Sequence, residues 1–496
     1  MKKTQVTLTV TLLLALFLDT ACSVFLGIPK SPANIVFILV DDMRYDEAEF
    51  MPNLQKLVAA EGVTFSNFFV NVPNCCPSRA TILLGQYSQN TSILTNAGQY
   101  GGSNTFHRLG RQNRVFPLWL QAAGYHTAYV GRYLNGFPGN LPEGYLPPGW
   151  DDWSLGDTAK TGEIALSQMQ HAIDAGKPFF VHISTFAPHY MLSKDGQKTP
   201  PLVRPQYKDL FIDQPLPPSL AFNEQDMSDK PTHFQGVPII SVEDQAMLLD
   251  HYQKRLQSLQ SVDEIIGSVV KFLKDNGKLN NTYIVFTSDN GFQLGEHRIV
   301  LDKHVAYEES IHMPFILRGP GVPRGETVAA LAGDIDIAAT FAEIAGADVP
   351  QDVDGVSLLP IIKGKSPKCR YGFLIQYWNN AEKNAWPTLG FSLDSASSGA
   401  VDPTIDQELA GSTTVFHSFR GIRTLEFKYV EYITGEKELY LLQIDPYELD
   451  NRIKDASPEL QAILSDWVDR LSRCSGAACR EAEASPPEFD ISMLPK

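Results

Sequence analysis

The segment NIVFILVDD, residues 34–42, decides the fold class that we predict for this chain. Residues 35–40 form an unbroken apolar run, and two aspartates follow it directly. A strand that is buried on both faces has this composition, and such strands belong to parallel sheets. In open α/β sheets, ligands bind beyond the carboxyl ends of the strands. Asp41 and Asp42 are therefore predicted to lie at a ligand-binding edge.

Predicted helices and strands alternate through the rest of the first two thirds of the chain. This alternation is typical of a parallel sheet with helices on both faces. A second polar pair, Asp289-Asn290, follows one of the strands and is also expected at a carboxyl end. The sequence predicts helices over 51–61, 115–123, 164–175 and 242–274, and further strands over 126–130, 178–184, 282–287 and 314–317.

The chain changes character after about residue 364. Residues 379–414 are polar and rich in Ser and Gly, which is typical of a loop, whereas 419–442 alternates in short β-like runs. A final helix is predicted over 458–471. We therefore predict a small antiparallel sheet with a helix. The expected organisation is a signal peptide (1–23), a catalytic domain (24–365) and a C-terminal subdomain (366–496).

The N-terminal residues have the pattern of a secretory signal peptide. Two lysines precede an apolar run over 6–18, and small residues at positions 21 and 23 suit cleavage before Val24. The apolar run is too short for a comfortable membrane span. We expect a secreted or secretory-pathway protein, periplasmic if the source is bacterial, with no stable membrane span. An uncleaved anchor is the alternative.

Composition excludes several classes of protein. Of the 496 residues, 43% are hydrophobic and 20% are charged. This composition is typical of a globular protein and not of an intrinsically disordered one. The formal net charge of −16 argues against a nucleic-acid partner, because nucleic-acid binding needs a basic surface. An anionic small-molecule substrate remains compatible, since a narrow site can be basic inside an acidic protein.

Six cysteines are present, at positions 22, 75, 76, 369, 474 and 479. Cys474 and Cys479 bracket a four-residue run and are predicted to form a local disulfide, which suits an oxidising compartment. The pairing of Cys76 and Cys369 stays open. Asn90 and Asn280 begin glycosylation sequons, which would make the chain a glycoprotein in a eukaryotic host.

The segment CCPSRATILLG, residues 75–85, is the most informative pattern in the chain. By itself it predicts only a short capped helix with buried thiols. Its order Cys-x-Pro-Ser-Arg, followed by Leu-x-Gly, resembles the signature of the type I sulfatases, in which the first Cys is oxidised to Cα-formylglycine. The resemblance extends from residue 34 to about residue 479 and includes Asp41-Asp42, Ser288 to Gly291 and the run at 439–449. Arylsulfatases and N-acetylglucosamine-6-sulfatases are the most similar members.

This resemblance implies an alkaline-phosphatase-like α/β sandwich and a sulfuric ester hydrolase. An aryl sulfate or a sulfated sugar would be cleaved to an alcohol and inorganic sulfate. Cys75 would become formylglycine through the formylglycine-generating enzyme. One hydroxyl of its hydrate would attack sulfur, and the other would help to release sulfate. Hard oxygen donors suit Ca²⁺ or Mg²⁺ and not zinc. The family binds one Ca²⁺, so the resemblance assigns it to Asp41, Asp42, Cys75, Asp289 and Asn290.

The resemblance also implies roles for side chains that face the substrate. Arg79 would orient the formylglycine hydrate, and Lys303 would bind the sulfate. His189, in an Ala-Pro-His run, would give a proton to the leaving alcohol. His297 is a second candidate that could equally brace its loop. Arg132 stands where family members usually have Lys, and it keeps the charge but cannot exchange a proton at working pH.

Several alternatives stay open. Leu134 and Asn135 occupy a place where many members carry His, so the base for sulfate elimination is not identified. The same signature occurs in phosphonate monoester and phosphodiester hydrolases. An inactive binding protein on this fold is a third possibility, disfavoured by the complete Cys and metal motifs. Tyr377, Trp378 and Trp386 could stack on a sugar or simply pack, and the particular sulfate ester is not determined.

Overall fold

Eight strands form the central sheet of the computed structural model, which describes residues 32–156, 158–365, 370–380, 382 and 415–487. They are β1 (Asn34–Val40), β2 (Val63–Phe65), β3 (His126–Gly131), β4 (Asp152–Ser154), β5 (Phe179–Ser184), β6 (Thr282–Ser288), β7 (Phe315–Arg318) and β8 (Glu326–Val328). Their spatial order is β8-β2-β7-β6-β1-β5-β3-β4. Within this sheet only β7 runs antiparallel to its neighbours. The prediction of a large, mostly parallel sheet is confirmed.

The side chains of β1 explain why the apolar run is continuous. Ile35, Phe37 and Leu39 point into one hydrophobic core, whereas the intervening residues Val36 and Ile38 point into the other. All seven residues of the strand are buried. Burying an aliphatic or aromatic side chain stabilises a fold by about 1.5–3 kcal/mol. A sheet with helices on both faces is the arrangement that buries both rows.

Helices cover both faces of the sheet. One core contains side chains from the helices at 116–122 and 336–345, and the other contains side chains from those at 158–174 and 242–275. The main helices are α1 (Cys75–Leu84), α2 (Gly102–Arg108), α3 (Phe116–Ala122), α4 (Thr158–Asp174), α5 (Val242–Asp275), α6 (Asp336–Ala345), α7 (Pro458–Arg473) and α8 (Ala477–Ala484). Four-residue helices lie at Ser88–Thr91, Thr232–Gln235, Glu308–Ile311 and Leu359–Ile362.

The predicted helix over 51–61 is the least regular. Its central part is a π-helix, Leu54–Ala59, and its first turn is fixed by Asp263, whose carboxylate accepts the backbone N–H groups of Asn53 and Leu54. The chain then passes directly against β7. A Cβ atom at Gly62 would lie 2.2 Å from the carbonyl oxygen of Leu317, so the close approach requires glycine.

A second sheet forms the C-terminal part of the described chain. Its strands are β9 (Phe373–Tyr377), β10 (Phe419–Arg423), β11 (Lys428–Tyr432) and β12 (Lys437–Tyr440), antiparallel and in sequential order. The small antiparallel sheet with a helix is therefore confirmed, and β9 is an additional strand that the sequence did not predict. The domain boundary near residue 365 stays a prediction, since residues 366–369 beside it are not described.

Other predictions from the sequence concern the cysteines, the glycosylation sequons and the N-terminus. Cys474 and Cys479 form the predicted disulfide. Asn280 is exposed, whereas the Asn90 amide donates to Asp354 and to the carbonyl of Cys474. Throughout the described ranges, no helix is both long enough and apolar enough to cross a bilayer. Outside those ranges lie the predicted signal peptide, Cys22, Cys369 and Trp386.

Candidate active site

Two polar pairs meet where β1 and β6 end. The strands are parallel neighbours in register, with Val40 opposite Ser288, so the residues after them lie side by side. The backbone N–H of Asp42 donates to Asp289 Oδ1 at 3.1 Å, and Asn290 Nδ2 donates to Asp42 Oδ1 at 2.7 Å. Asp42 has φ 63°, a left-handed conformation that Asp tolerates better than most residues. The structure thus brings together the two pairs that the sequence placed at strand ends.

Cys75, the first residue of α1, points into this acidic edge. Its Sγ lies 3.6 Å from Asp41 Oδ1, 3.8 Å from Asp42 Oδ1 and 2.8 Å from Lys303 Nζ. The side chain is fully buried. Burial raises the pKa of the Cys75 thiol well above its usual value, although Lys303 acts in the opposite direction.

Arg79 follows Cys75 by one helical turn and joins four strand ends. Its guanidinium donates to Asp289 Oδ2 at 2.7 Å, Asp41 Oδ2 at 3.1 Å, Ser184 Oγ at 2.7 Å and the carbonyl of Arg132 at 2.9 Å. Burial disfavours the charged form, but the carboxylates of Asp289 and Asp41 raise the pKa of Arg79 above its usual value. The guanidinium is therefore a fixed positive charge.

Lys303 supplies a second buried positive charge. Its Nζ donates to Asp42 Oδ1 at 2.6 Å and also contacts the Cys75 thiol. Burial would raise the pKa of Asp42, but His189 and Lys303 outweigh it and lower that pKa to about 2. At Asp289, burial and the nearby Asp41 carboxylate raise the pKa to about 6. Crowded carboxylates of this kind destabilise one another unless a cation lies between them.

His189 and Arg132 lie around Phe186 at the same edge. His189 Nδ1 is 2.6 Å from the carbonyl oxygen of Tyr190, to which it donates, and Nε2 lies 3.4 Å from Asp42 Oδ2. The Arg132 guanidinium pairs with Asp41 and lies 5.0 Å from the centre of the Phe186 ring. The residues at this edge are here called the Cys75 cluster: Asp41, Asp42, Cys75, Arg79, Arg132, His189, Asp289, Asn290 and Lys303. With a side chain that is 15% exposed, Arg132 is the most accessible charged residue of this cluster.

The donor atoms at this edge fit a hard divalent cation. Ligand atoms of Asp41, Asp42, Cys75 and His189 all lie within 4.8 Å of one another. Asp42 Oδ2 and Asn290 Oδ1 are buried and have no hydrogen-bond partner among the described residues. Buried polar atoms are rarely left unpaired in folded proteins, and oxygen donors are the ligands that Ca²⁺ prefers.

The structure does not bring His297 to this cluster. Its Nδ1 lies 2.7 Å from Glu224 Oε2, and its ring stacks on Tyr307 with centres 3.8 Å apart. These contacts hold the imidazole in a different buried cluster, so the prediction that His297 acts beside Cys75 has no geometric support. Leu134 offers no base either, because it is an apolar side chain buried in the core.

Two residues that contact the cluster were not singled out from the sequence. Ser184 is the last residue of β5 and accepts a hydrogen bond from Arg79. Phe186 is partly exposed and packs against His189, with ring centres 4.9 Å apart. Their position at the carboxyl end of a strand was the available signal, but neither residue type suggests catalysis by itself.

Comparison with known proteins identifies the family of the chain. A family model described as Sulfatase matches residues 33–347. The chain belongs to the sulfatase family. The N-acetylglucosamine-6-sulfatase of Bos taurus is 31% identical over 473 residues, which cover 88% of this chain and 81% of that protein. The arylsulfatase of Volvox carteri is 29% identical over 502 residues, covering 90% and 75%. The predicted family and the predicted class, sulfuric ester hydrolase, are confirmed.

Solved structures share the fold of this sulfatase at low sequence identity. The protein BT4656, in complex with its substrate D-glucosamine-2-N,6-O-disulfate, has a TM-score of 0.67 at 22% identity and covers 88% of this chain and 97% of its own. The phosphonate monoester hydrolase of Silicibacter pomeroyi has a TM-score of 0.65 at 21% identity, covering 89% and 94%. These similarities confirm the fold class.

Proposed function

We propose that this sulfatase cleaves sulfate esters at the Cys75 cluster, with Cys75 converted to formylglycine by the formylglycine-generating enzyme. The observation that carries the proposal is the position of Cys75. Its side chain lies between two carboxylates and the Lys303 ammonium, and it begins the helix that also carries Arg79. A sulfate ester needs positive charge for its oxygens and a nucleophile that regenerates. An aldehyde hydrate at position 75 meets the second need, and a plain thiol does not.

We assign one Ca²⁺ to the oxygen donors of Asp41, Asp42, Asp289 and Asn290, together with residue 75. When bound, the ion supplies positive charge that polarises a sulfate oxygen and favours the ionised form of an attacking hydroxyl. Two buried oxygens that have no hydrogen-bond partner among the described residues, Asp42 Oδ2 and Asn290 Oδ1, support this assignment.

The fixed cations of the cluster have separable tasks. We propose that Arg79 orients residue 75, because its guanidinium is held on four strand ends and cannot follow the substrate. Lys303 and Arg132 face the sulfate oxygens, where a preorganised cation stabilises the charge that develops in the transition state. Arg can bind two oxyanion oxygens at once, which suits Arg132 at the accessible side.

His189 is the proposed proton donor to the leaving alcohol. Since Nδ1–H is engaged with the Tyr190 carbonyl, the other nitrogen, Nε2, is the one directed toward the acidic edge. In the protonated imidazole Nε2 carries the proton that a departing alkoxide needs. The fixed orientation of the ring supports this role, because a general acid must lie within hydrogen-bond reach of the leaving atom.

Arg132 gives a prediction that separates charge from proton transfer. If this residue only binds the sulfate oxyanion, Arg132→Lys should keep kcat within about tenfold and leave its pH profile unchanged, whereas Arg132→Ala should lose about 10²–10³-fold in kcat. The measurement is kcat against pH for the native, Lys and Ala forms. A higher kcat with a shifted profile in the Lys form would mean that the residue must pass a proton. An Ala form with native kcat would place Arg132 outside the site.

The proposed substrates are sulfate esters of amino sugars or of aryl alcohols. The names of the relatives from Bos taurus and Volvox carteri support both classes. Phe186 supports them as well, because a partly exposed ring beside Arg132 and His189 can contact a sugar or aryl ring that carries the sulfate.

A paired assay tests the reaction and the substrate together. N-acetylglucosamine 6-sulfate, an aryl sulfate, an aryl phosphodiester and a phenyl phosphonate monoester would be compared at equal enzyme concentration. We expect kcat/KM to be highest for one of the two sulfate esters. A larger kcat/KM for the phosphorus esters would contradict the proposal and favour a phosphonate monoester or phosphodiester hydrolase.

We also infer that the enzyme is exported and that residues 1–23 are removed. The N-terminal pattern and the Cys474–Cys479 disulfide support export. Relatives named as extracellular sulfatases occur in Drosophila melanogaster and Caenorhabditis elegans, and the matches cover 32% and 54% of those proteins. N-terminal sequencing of the secreted protein should begin at Val24, and an intact Met1 in secreted material would contradict the cleavage.

A further inference from the structure

A second group of potential metal ligands consists of His297, Glu309 and Glu448, here called the His297 cluster. One ligand atom from each residue lies within 4.8 Å of the others. His297 and Glu448 are 0% and 1% exposed, and Glu309 is partly buried. The three residues come from different parts of the chain: the turn before Lys303, the short helix Glu308–Ile311, and the segment after β12.

The hydrogen bonds of His297 fix which nitrogen faces the cluster. Nδ1 lies 2.7 Å from Glu224 Oε2, and Lys230 holds the other oxygen of Glu224 at 3.1 Å. Because Nδ1 is engaged with the Glu224 carboxylate, Nε2 is the ring nitrogen left for other contacts. Nε2 is buried and has no hydrogen-bond partner among the described residues. This carboxylate–imidazole pairing is the usual arrangement around a histidine that binds a metal.

The carboxylates of the cluster are also short of positive charge. Among the described residues, Glu309 Oε2 is buried without a hydrogen-bond partner. Glu448 pairs with Lys428, but that lysine also lies 3.4 Å from Glu308. A nearby arginine, Arg44, already pairs with two other acidic side chains. The His297 imidazole and the carboxylates of Glu309 and Glu448 therefore share one buried space with the Lys428 ammonium group, which also lies near Glu308.

We propose that His297, Glu309 and Glu448 bind a divalent first-row transition-metal ion, separate from the cation at Cys75. One imidazole and two carboxylates suit Zn²⁺, with a water completing the coordination, whereas the oxygen-rich donors at Cys75 suit a harder ion. The ion would join the segment that carries Lys303 to the segment after β12. Its role would be to hold that lysine's segment in place, without contact with the substrate.

The test measures zinc retention in protein whose Cys75 site cannot compete. Cys75→Ala would remove the thiol, and excess Ca²⁺ would fill the oxygen-rich site. After dialysis against micromolar Zn²⁺ and then against zinc-free buffer that contains Ca²⁺, we expect one zinc per chain by elemental analysis and a higher Tm with zinc than without. Adding His297→Gln should weaken zinc binding by more than the about 10–100-fold that losing an outer-shell partner of a metal ligand costs, because it removes a direct ligand. The matched control is His251→Gln, which replaces a buried histidine of α5 outside both clusters and should bind zinc as its parent does.

A second readout covers the case in which His297→Gln does not fold. Co²⁺ added to the Ca²⁺-saturated Cys75→Ala protein should give visible absorption bands of a nitrogen- and oxygen-ligated site, and Glu309→Gln should diminish them. Failure to retain zinc together with no Co²⁺ bands would overturn the proposal. Equal zinc affinity in folded His297→Gln and His251→Gln would overturn it as well. Because no arm measures sulfate hydrolysis, the outcome does not depend on the proposed function.

Discussion

Replacing Cys75 by alanine is expected to reduce kcat for sulfate esters by about 10⁵-fold or more, the scale seen when a catalytic nucleophile is removed. The side chain is the only group of the described cluster that can be converted to the proposed nucleophile, and the surrounding charges are arranged around its Sγ. The fold and the Ca²⁺ affinity should largely persist, because the carboxylate and amide oxygens remain. The measurement is kcat together with Tm and calcium binding for the same preparation.

Cys76→Ala is the matched control for this substitution. Its thiol is also buried, but it packs in the hydrophobic core, and its backbone N–H donates to Asn96 Oδ1. Losing one buried sulfur should cost about 1 kcal/mol of the free energy of unfolding, comparable to deleting one buried methylene, and should leave much of the activity. Native turnover in Cys75→Ala would contradict the formylglycine mechanism. Equal loss in both variants would show that helix α1 is sensitive to any change.

Removing the cation from the Cys75 cluster should lower kcat by about 10²–10⁴-fold, since charge stabilisation at the reacting group is lost. Chelation and Asp289→Ala are two routes to this result. Asp289 accepts from Arg79 and from the backbone of Asp42, so its loss also removes one of the four contacts that hold the Arg79 guanidinium. The measurement is activity and bound metal with chelator, and again after Ca²⁺ is restored.

The control variants distinguish loss of the bound metal from a general loss of stability. Asp289→Asn keeps an acceptor for the Asp42 N–H but removes a charge, so it should bind Ca²⁺ more weakly than native while losing less Tm than Asp289→Ala. Asp263→Asn removes a buried carboxylate that holds the turn at Asn53 and should lower Tm with no change in calcium dependence. Full activity in excess chelator, with no metal detected by elemental analysis, would rule out the cation.

The central sheet could be predicted because strands that are buried on both faces have a recognisable apolar sequence pattern. A strand such as β1 is buried on both faces, so every residue from Ile35 to Val40 is apolar, and parallel pairing then places Asp41 and Asp289 at one edge. The antiparallel direction of β7 could not be predicted from the sequence, since the burial of its residues resembles that of its parallel neighbours. Strand β9 was missed because its five residues stand between polar stretches, and its partner β10 lies far along the chain.

The candidate site could be predicted only where a residue type implies chemistry. Cys75, Arg79, Asp42 and Lys303 meet as the motifs suggested, although nothing in the sequence gives the distances between them. His297 was the exception. It lies six residues before Lys303. A turn with positive φ at positions 297 and 298 separates the two side chains, and the His297 imidazole forms a hydrogen bond with Glu224. Backbone turns of this kind depend on tertiary contacts that sequence spacing does not encode.

The most direct test of the account is the chemical state of residue 75 in the active, secreted enzyme. Peptide mass analysis across residues 75–85 should find the –CH2SH side chain of the first cysteine converted to an aldehyde, –CHO, in which sulfur is replaced by oxygen and two hydrogens are lost, with Cys76 unchanged. An aldehyde-specific hydrazide should label this peptide and inhibit the enzyme in proportion to labelling. A fully active preparation whose peptide carries an intact Cys75 thiol, and which the hydrazide neither labels nor inhibits, would contradict the central claim.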